Sequence, residues 1–206
     1  MLTAVFVLVA YLIGSLSFAV IVCKAFGLPD PHSYGSGNPG ATNVLRSGSK
    51  LAAVLTLAGD AGKGWLAVML ALLFAPGYGL AEGTVAAVAF AVFIGHLFPL
   101  YFMFKGGKGV ATALGILLAI NAWLGLATLA TWVIIAVFFR ISSLAAIIAA
   151  VFAPLCTFWW FGLSPYTAAV LGVSLLLVWR HEANLRKLLA GQESRIGQKQ
   201  KAGDPR

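Results

Sequence analysis

Apolar runs of about membrane-spanning length follow one another through almost the whole chain. They cover Leu2 to Ala25, Leu51 to Phe74, Thr84 to Phe104, Val110 to Phe139, Ile141 to Phe161 and Pro165 to Trp179. A helix of about 20 apolar residues crosses the hydrocarbon core of a bilayer, where only helices and closed barrels satisfy their own backbone. The first run is long enough to span and lacks the basic start of a signal peptide. Composition agrees, with 61% hydrophobic and 10% charged residues, against about half and a quarter in soluble domains. The expected fold is an all-α integral membrane protein with a single polytopic domain over residues 1–206, of which 192–206 form a flexible cytoplasmic tail.

The count of spans turns on Val110 to Phe139, too long for one untilted helix and short for two. Basic residues accumulate on the cytoplasmic side of a membrane. If the block breaks at Asn121, with its first half short, there are seven transmembrane helices, the N-terminus outside and the C-terminus cytoplasmic. All 14 Lys and Arg then lie at or near the inner face, and only Glu82 remains outside. One span there would put Arg140 and the basic tail opposite Arg46 and Lys105. Seven spans are therefore expected. The net charge of +8 reports this topology and calls for no nucleic acid. Lys63, about three turns into the second span, needs a polar cavity or must snorkel. Its simplest partner is Asp60, three residues away. His96 reads as a packed, hydrogen-bonded helix residue, His32 has no evident partner, and Cys23 and Cys156 read as small hydrophobes rather than a disulfide.

Three polar pieces share the inner face in this topology. The loop "GSGNPGATNVLRSGSK", residues 35–50, offers Ser36, Asn38, Thr42 and Asn43 as hydrogen-bonding groups and Arg46 as a bidentate fork. In "GHLFPLYFMFKGGKGVATALG", residues 95–115, glycines allow backbone N–H groups to converge on an anion, with Lys105 and Lys108 as countercharge. No Ser or Thr follows Lys108, so this is not a nucleotide P-loop. In "WRHEANLRKLLAGQE", residues 179–193, His181 and Asn184 share a helix face, a leucine stripe lies on the same helix, and Gly191 is a plausible stop. Singly, these fit a solvated linker, a flexible inner-face loop and an interfacial amphipathic helix about as well. Together they favour one anion site. No nucleophile with an adjacent base, no carboxylate pair and no metal-ligand cluster is visible, so neither metal nor cofactor is expected.

"GSGNPGATNVLR", "GHLFPLYFMFKGGKGVAT" and "RHEANLRKLLAGQE" closely resemble, in order and spacing, the three motifs of the PlsY-type acyl-phosphate glycerol 3-phosphate acyltransferases. The resemblance covers the whole chain in length and layout. It implies a seven-span enzyme of the bacterial inner membrane with its active site facing the cytoplasm. It further implies transfer of a fatty acyl group from acyl phosphate to the 1-hydroxyl of glycerol 3-phosphate, giving lysophosphatidic acid and phosphate. Carried over residue by residue, it implies catalytic roles for Ser36, Arg46, Lys105, His181 and Asn184. Substrate binding falls to Gly37, Asn38, Ala41, Thr42, Asn43, Gly106, Gly107, Lys108, Gly109, Thr112 and Glu193. The partners implied are the two phosphorylated substrates and membrane lipid, with no obligate protein partner. The proton acceptor stays open between His181 and a substrate phosphate.

Rival classes fit less well. No His is followed five residues later by Asp, as a soluble-type glycerolipid acyltransferase would require, and the three Asp are too scattered for a CDP-alcohol phosphotransferase. A small anion transporter remains the non-enzymatic alternative. It would show internal repeats or matched helix breaks, and neither is visible.

Overall fold

The computed structural model describes residues 1–196, and the regular structure of these residues is helical throughout. The ten α-helices are α1 (Leu2–Gly14), α2 (Phe18–Ala25), α3 (Ala41–Val44), α4 (Lys50–Phe74), α5 (Glu82–Leu97), α6 (Val110–Ile120), α7 (Ala122–Phe139), α8 (Ser142–Phe161), α9 (Pro165–Arg180) and α10 (Glu182–Leu189). By length and composition four of these regions can cross a membrane, or five if the bent pair α1–α2 counts as one span. The apolar helices α6 and α9 are shorter, with 11 and 16 residues. At about 1.5 Å per residue, α6 reaches only some 17 Å.

The break at Asn121 lies where the sequence places it. Its Oδ1 accepts the N–H groups of Trp123 and Leu124 at 2.9 and 3.1 Å, which caps α7. The first apolar run departs from expectation, because α1 and α2 meet at a 40° bend rather than forming one helix. Such a break leaves backbone carbonyls without helical partners. Lys63 supplies one donor, from Nζ to Leu16 O at 2.6 Å, and stands 3.0 Å from Asp60 Oδ1. The expected Asp60–Lys63 pair is therefore present, and the helix break provides its polar surroundings. The third run also stops early. Helix α5 ends at Leu97, and Met103 and Phe104 adopt φ values of 52° and 60° as the chain turns back. Cys23 and Cys156 are both free thiols.

Small residues let the helices approach closely. A Cβ on Gly64 would strike Thr112 O, and one on Gly115 would strike Ala61 O, so α4 and α6 pack backbone to backbone. Gly14 and Gly95 do the same for α1 and α5. Phe93, Leu97 and Ile116 fill the interior, while Phe138, Leu155 and Trp159 stay exposed on outward faces. Those outward faces suit lipid.

Candidate active site

The three polar segments come together at one end of the helices. Within the α2–α3 loop, Asn43 is the organiser: its Nδ2 donates to Pro31 O at 2.8 Å and Tyr34 O at 3.2 Å, and its Oδ1 accepts Ser36 N–H at 3.0 Å. At 2% exposure all of this is internal. The sequence suggests a substrate contact for Asn43, but the structure gives it the task of shaping the loop. Gly35 turns with φ +60° directly beneath Arg46, whose side chain a Cβ there would meet. Arg46 is exposed, and its guanidinium donates to Ser194 Oγ at 3.3 Å. The Ser36 hydroxyl, the Thr42 hydroxyl and the Lys105 ammonium have no hydrogen-bond or ion-pair partner among the described residues. Gly37, Asn38 and Ala41 line the same loop and are partly exposed.

The turn at 105–109 is gripped by its carbonyls. Arg180 donates to Gly106 O at 2.8 Å and to Gly107 O at 3.2 Å, and His32 Nε2 lies 3.1 Å from Lys105 O. In a trans peptide the N–H of the next residue points the other way. Anchoring these carbonyls therefore points the N–H of Gly106 away from His32 and the N–H of Lys108 away from Arg180. The expected anion nest is only partial, because Gly107 N–H is already spent on His96 O at 3.2 Å. Gly109 begins α6 with φ +84°, a conformation that favours glycine. Thr112, expected at the substrate, is wholly buried and donates to Asp60 O at 3.0 Å instead. Sequence reasoning missed Arg180 and His32 as supports for this turn. The signal for Arg180 was its place as the first residue of "RHEANLRKLLAGQE", and that for His32 its position three residues before the loop that starts at Gly35.

The third segment closes the ring. Lys108 Nζ donates to Asn184 Oδ1, and Asn184 Nδ2 donates to Glu193 Oε1 at 2.7 Å, which also accepts from Ser143 Oγ at 2.8 Å. Glu193 thus ties the segment to α8. Residues 192–196, expected as the start of a free tail, are anchored: Ile196 N–H donates to Arg140 O at 2.6 Å, and Arg140 returns a bond to Ile196 O at 3.1 Å. The remainder of the expected tail, 197–206, lies outside the described residues. Gly191, with φ +66°, ends α10 as anticipated.

Electrostatically the site is a crowd of cations. Burial lowers the pKa of Lys108, with Arg180, Lys187 and Arg46 adding repulsion and Glu193 opposing them. His181 is buried between α9 and α10, and Nδ1 lies 2.8 Å from Leu177 O. A carbonyl only accepts, so in the neutral ring the proton sits on Nδ1 and the lone pair on Nε2. Burial, aided by the charges of Lys108 and Arg180, pushes His181 down to about 4. It is therefore neutral near pH 7. Its unfolded counterpart protonates near pH 6.5, so between about 6.5 and 4 the unfolded chain holds the extra proton. Stability from this group is complete above that window and declines as pH falls through it. The melting temperature of the parent should exceed that of His181→Gln by a margin that shrinks on acidification from pH 7 to pH 4.5. A margin that grows on acidification would contradict this burial.

A cation cluster with three sequence-distant parts narrows the chemistry to anions, and comparison with known proteins decides the family. A family model described as glycerol-3-phosphate acyltransferase matches residues 4–191. The chain belongs to the glycerol-3-phosphate acyltransferase family. Proteins of that description from Ralstonia nicotianae and Cupriavidus necator are 64% and 65% identical to this acyltransferase, over 97% and 98% of its chain and 96% and 100% of theirs. One from Burkholderia ambifaria is 66% identical, over 95% of this chain and 91% of its own. Two crystal structures of PlsY (YgiH), an integral membrane glycerol 3-phosphate acyltransferase, superpose with TM-scores of 0.89 and 0.87 at 34% identity. Each covers 96% of both chains. One is the glycerol 3-phosphate form and the other the lysophosphatidic acid form.

Proposed function

We propose that this membrane acyltransferase moves a fatty acyl group from acyl phosphate to the 1-hydroxyl of glycerol 3-phosphate. The hydroxyl oxygen attacks the acyl carbonyl carbon, the bond from that carbon to the phosphate oxygen breaks, and lysophosphatidic acid and inorganic phosphate leave. The leaving group is good, so no covalent enzyme intermediate is needed. What the protein must supply is charge neutralisation and alignment of two anionic substrates.

The observation that carries this reading is the crowding of Arg46, Arg180 and Lys187 against Lys108, with the nearby carboxylate of Glu193 already held by Asn184 and Ser143. Arg46 and Lys105 bind phosphate, with Ser36, Thr42 and Asn184 as hydrogen-bonding partners, while His181, whose Nε2 only accepts, faces the attacking hydroxyl. Within the turn from Gly106 to Gly109, the N–H groups of Gly106 and Lys108, not spent on backbone carbonyls of the described residues, meet the second phosphate or the carbonyl oxygen. The hydroxyl proton goes to His181 Nε2 or to the departing phosphate; the low basicity of His181 favours the phosphate. Seven spans place this end at the cytoplasmic face of the bacterial inner membrane. Four helices long enough to cross, the bent α1–α2 pair, and the shorter apolar helices α6 and α9 support a reading with seven passes.

Proteoliposomes of defined sidedness test the reading. With acyl phosphate in the membrane, glycerol 3-phosphate outside and EDTA present, vesicles exposing the C-terminus outward should form lysophosphatidic acid, and those exposing the N-terminus should not. Product formed equally from both, or uptake of labelled phosphate with no acyl product, would overturn it.

A further inference from the structure

Asp60, Lys63, His96 and Thr112 form a second polar cluster, 3%, 4%, 7% and 0% exposed, which the phosphate site does not use. Ionisable groups inside a membrane protein are costly and point to a role. The bonding rules order this cluster. Thr112 Oγ1 has one proton and gives it to Asp60 O, which only accepts. His96 Nδ1, 3.2 Å from the same Oγ1, must then donate, and it also faces Asp60 Oδ1 at 3.6 Å. Lys63 lies 3.0 Å from that oxygen and gives one of its three protons to Leu16 O. The neutral ring of His96 is thereby fixed with its lone pair on Nε2.

That nitrogen abuts the turn. A Cβ on Gly107 would strike His96 Nε2, and the same histidine's carbonyl accepts Gly107 N–H at 3.2 Å. One residue thus holds Gly107 from two directions, between Lys105 and Lys108 in the turn. We propose that His96, oriented by Thr112 and Asp60, is a positioning residue that sets the height of Gly107 and so aims the two flanking lysines. It touches no substrate itself. The proposal rests on the reading of the 105–109 turn as a phosphate holder.

The test is steady-state kinetics on purified protein, varying glycerol 3-phosphate and acyl phosphate separately. In His96→Asn the amide can keep a donor where Nδ1 stood but loses the ring edge against Gly107. It should raise the KM for one of the two substrates about ten-fold or more, as small displacements of binding groups do, and leave the other within about two-fold at equal folded yield. The double variant Asp60→Asn/Lys63→Met removes both charges together, so neither is left buried alone. It should shift the same KM in the same direction by a smaller factor. If His96→Asn does not fold, the double variant decides by the same split. Parental KM values for both substrates, or a fall in kcat with both KM values unchanged, would make the cluster a structural plug and overturn the proposal. A parent that forms no acyl product would overturn the function reading as well, whereas an active parent with unaltered variants counts against His96 alone.

Discussion

Arg46→Lys should lose about thirty-fold or more in kcat/KM, while Lys50→Ala stays within about three-fold of the parent. Both residues are basic, exposed and four positions apart, so a purely topological role would not separate them. Arg46 follows α3 in a short turn, runs over Gly35 and reaches Ser194, which joins the first segment to the third. Its guanidinium can meet two phosphate oxygens at once, and a lysine keeps the charge without that fork. Lys50 only opens α4, behind the Ser49 cap. The two variants need comparing at equal folded yield, read from detergent size-exclusion profiles. Parental activity in Arg46→Lys, or greater damage in Lys50→Ala, would reduce the loop to a linker.

The second large effect belongs to Gly106→Ala, which should lose about a hundred-fold or more, the scale expected when binding groups shift by about 1 Å. A methyl there would run into His96 O and Leu97 O. Both are backbone atoms at the end of α5, so no side-chain rotation relieves the clash. The turn must lift, which loosens the Gly107 bond to His96 O and moves the carbonyls away from Arg180. Gly62→Ala is the matched control, since nothing lies within 4 Å of the added carbon and the site is a helix interior. It should match the parent, because alanine favours the helix. A Gly106→Ala enzyme within three-fold of the Gly62→Ala enzyme would contradict the tight docking of the turn.

Much of this was legible along the chain because membrane helices declare themselves through length and apolarity alone. The Asn121 break could be found because it is local, combining charge bookkeeping with a side chain able to cap the next helix. The bend between α1 and α2 could not. Ser15, Leu16 and Ser17 look like ordinary span residues, and the group that compensates the bend, Lys63, lies 47 positions away. Asn43 suggests a binding group in the sequence for a similar reason. A polar side chain in a glycine-rich loop gives no sign of whether it faces outward or staples its own loop. Thr112 follows the lysine turn closely along the chain, yet its hydroxyl turns inward to Asp60 O. Along the chain Arg180 is one more inner-face charge, and only the fold shows its fork spent on two carbonyls of the turn.

The central claim is that this cation cluster handles acyl phosphate directly, and a choice of donors tests it. Purified protein would receive glycerol 3-phosphate with either palmitoyl phosphate or palmitoyl-CoA, and the products would be weighed by mass spectrometry. Palmitoyl phosphate should yield palmitoyl-lysophosphatidic acid and inorganic phosphate, and palmitoyl-CoA should yield none above background. Equal rates from the two donors, or product from palmitoyl-CoA alone, would contradict the account.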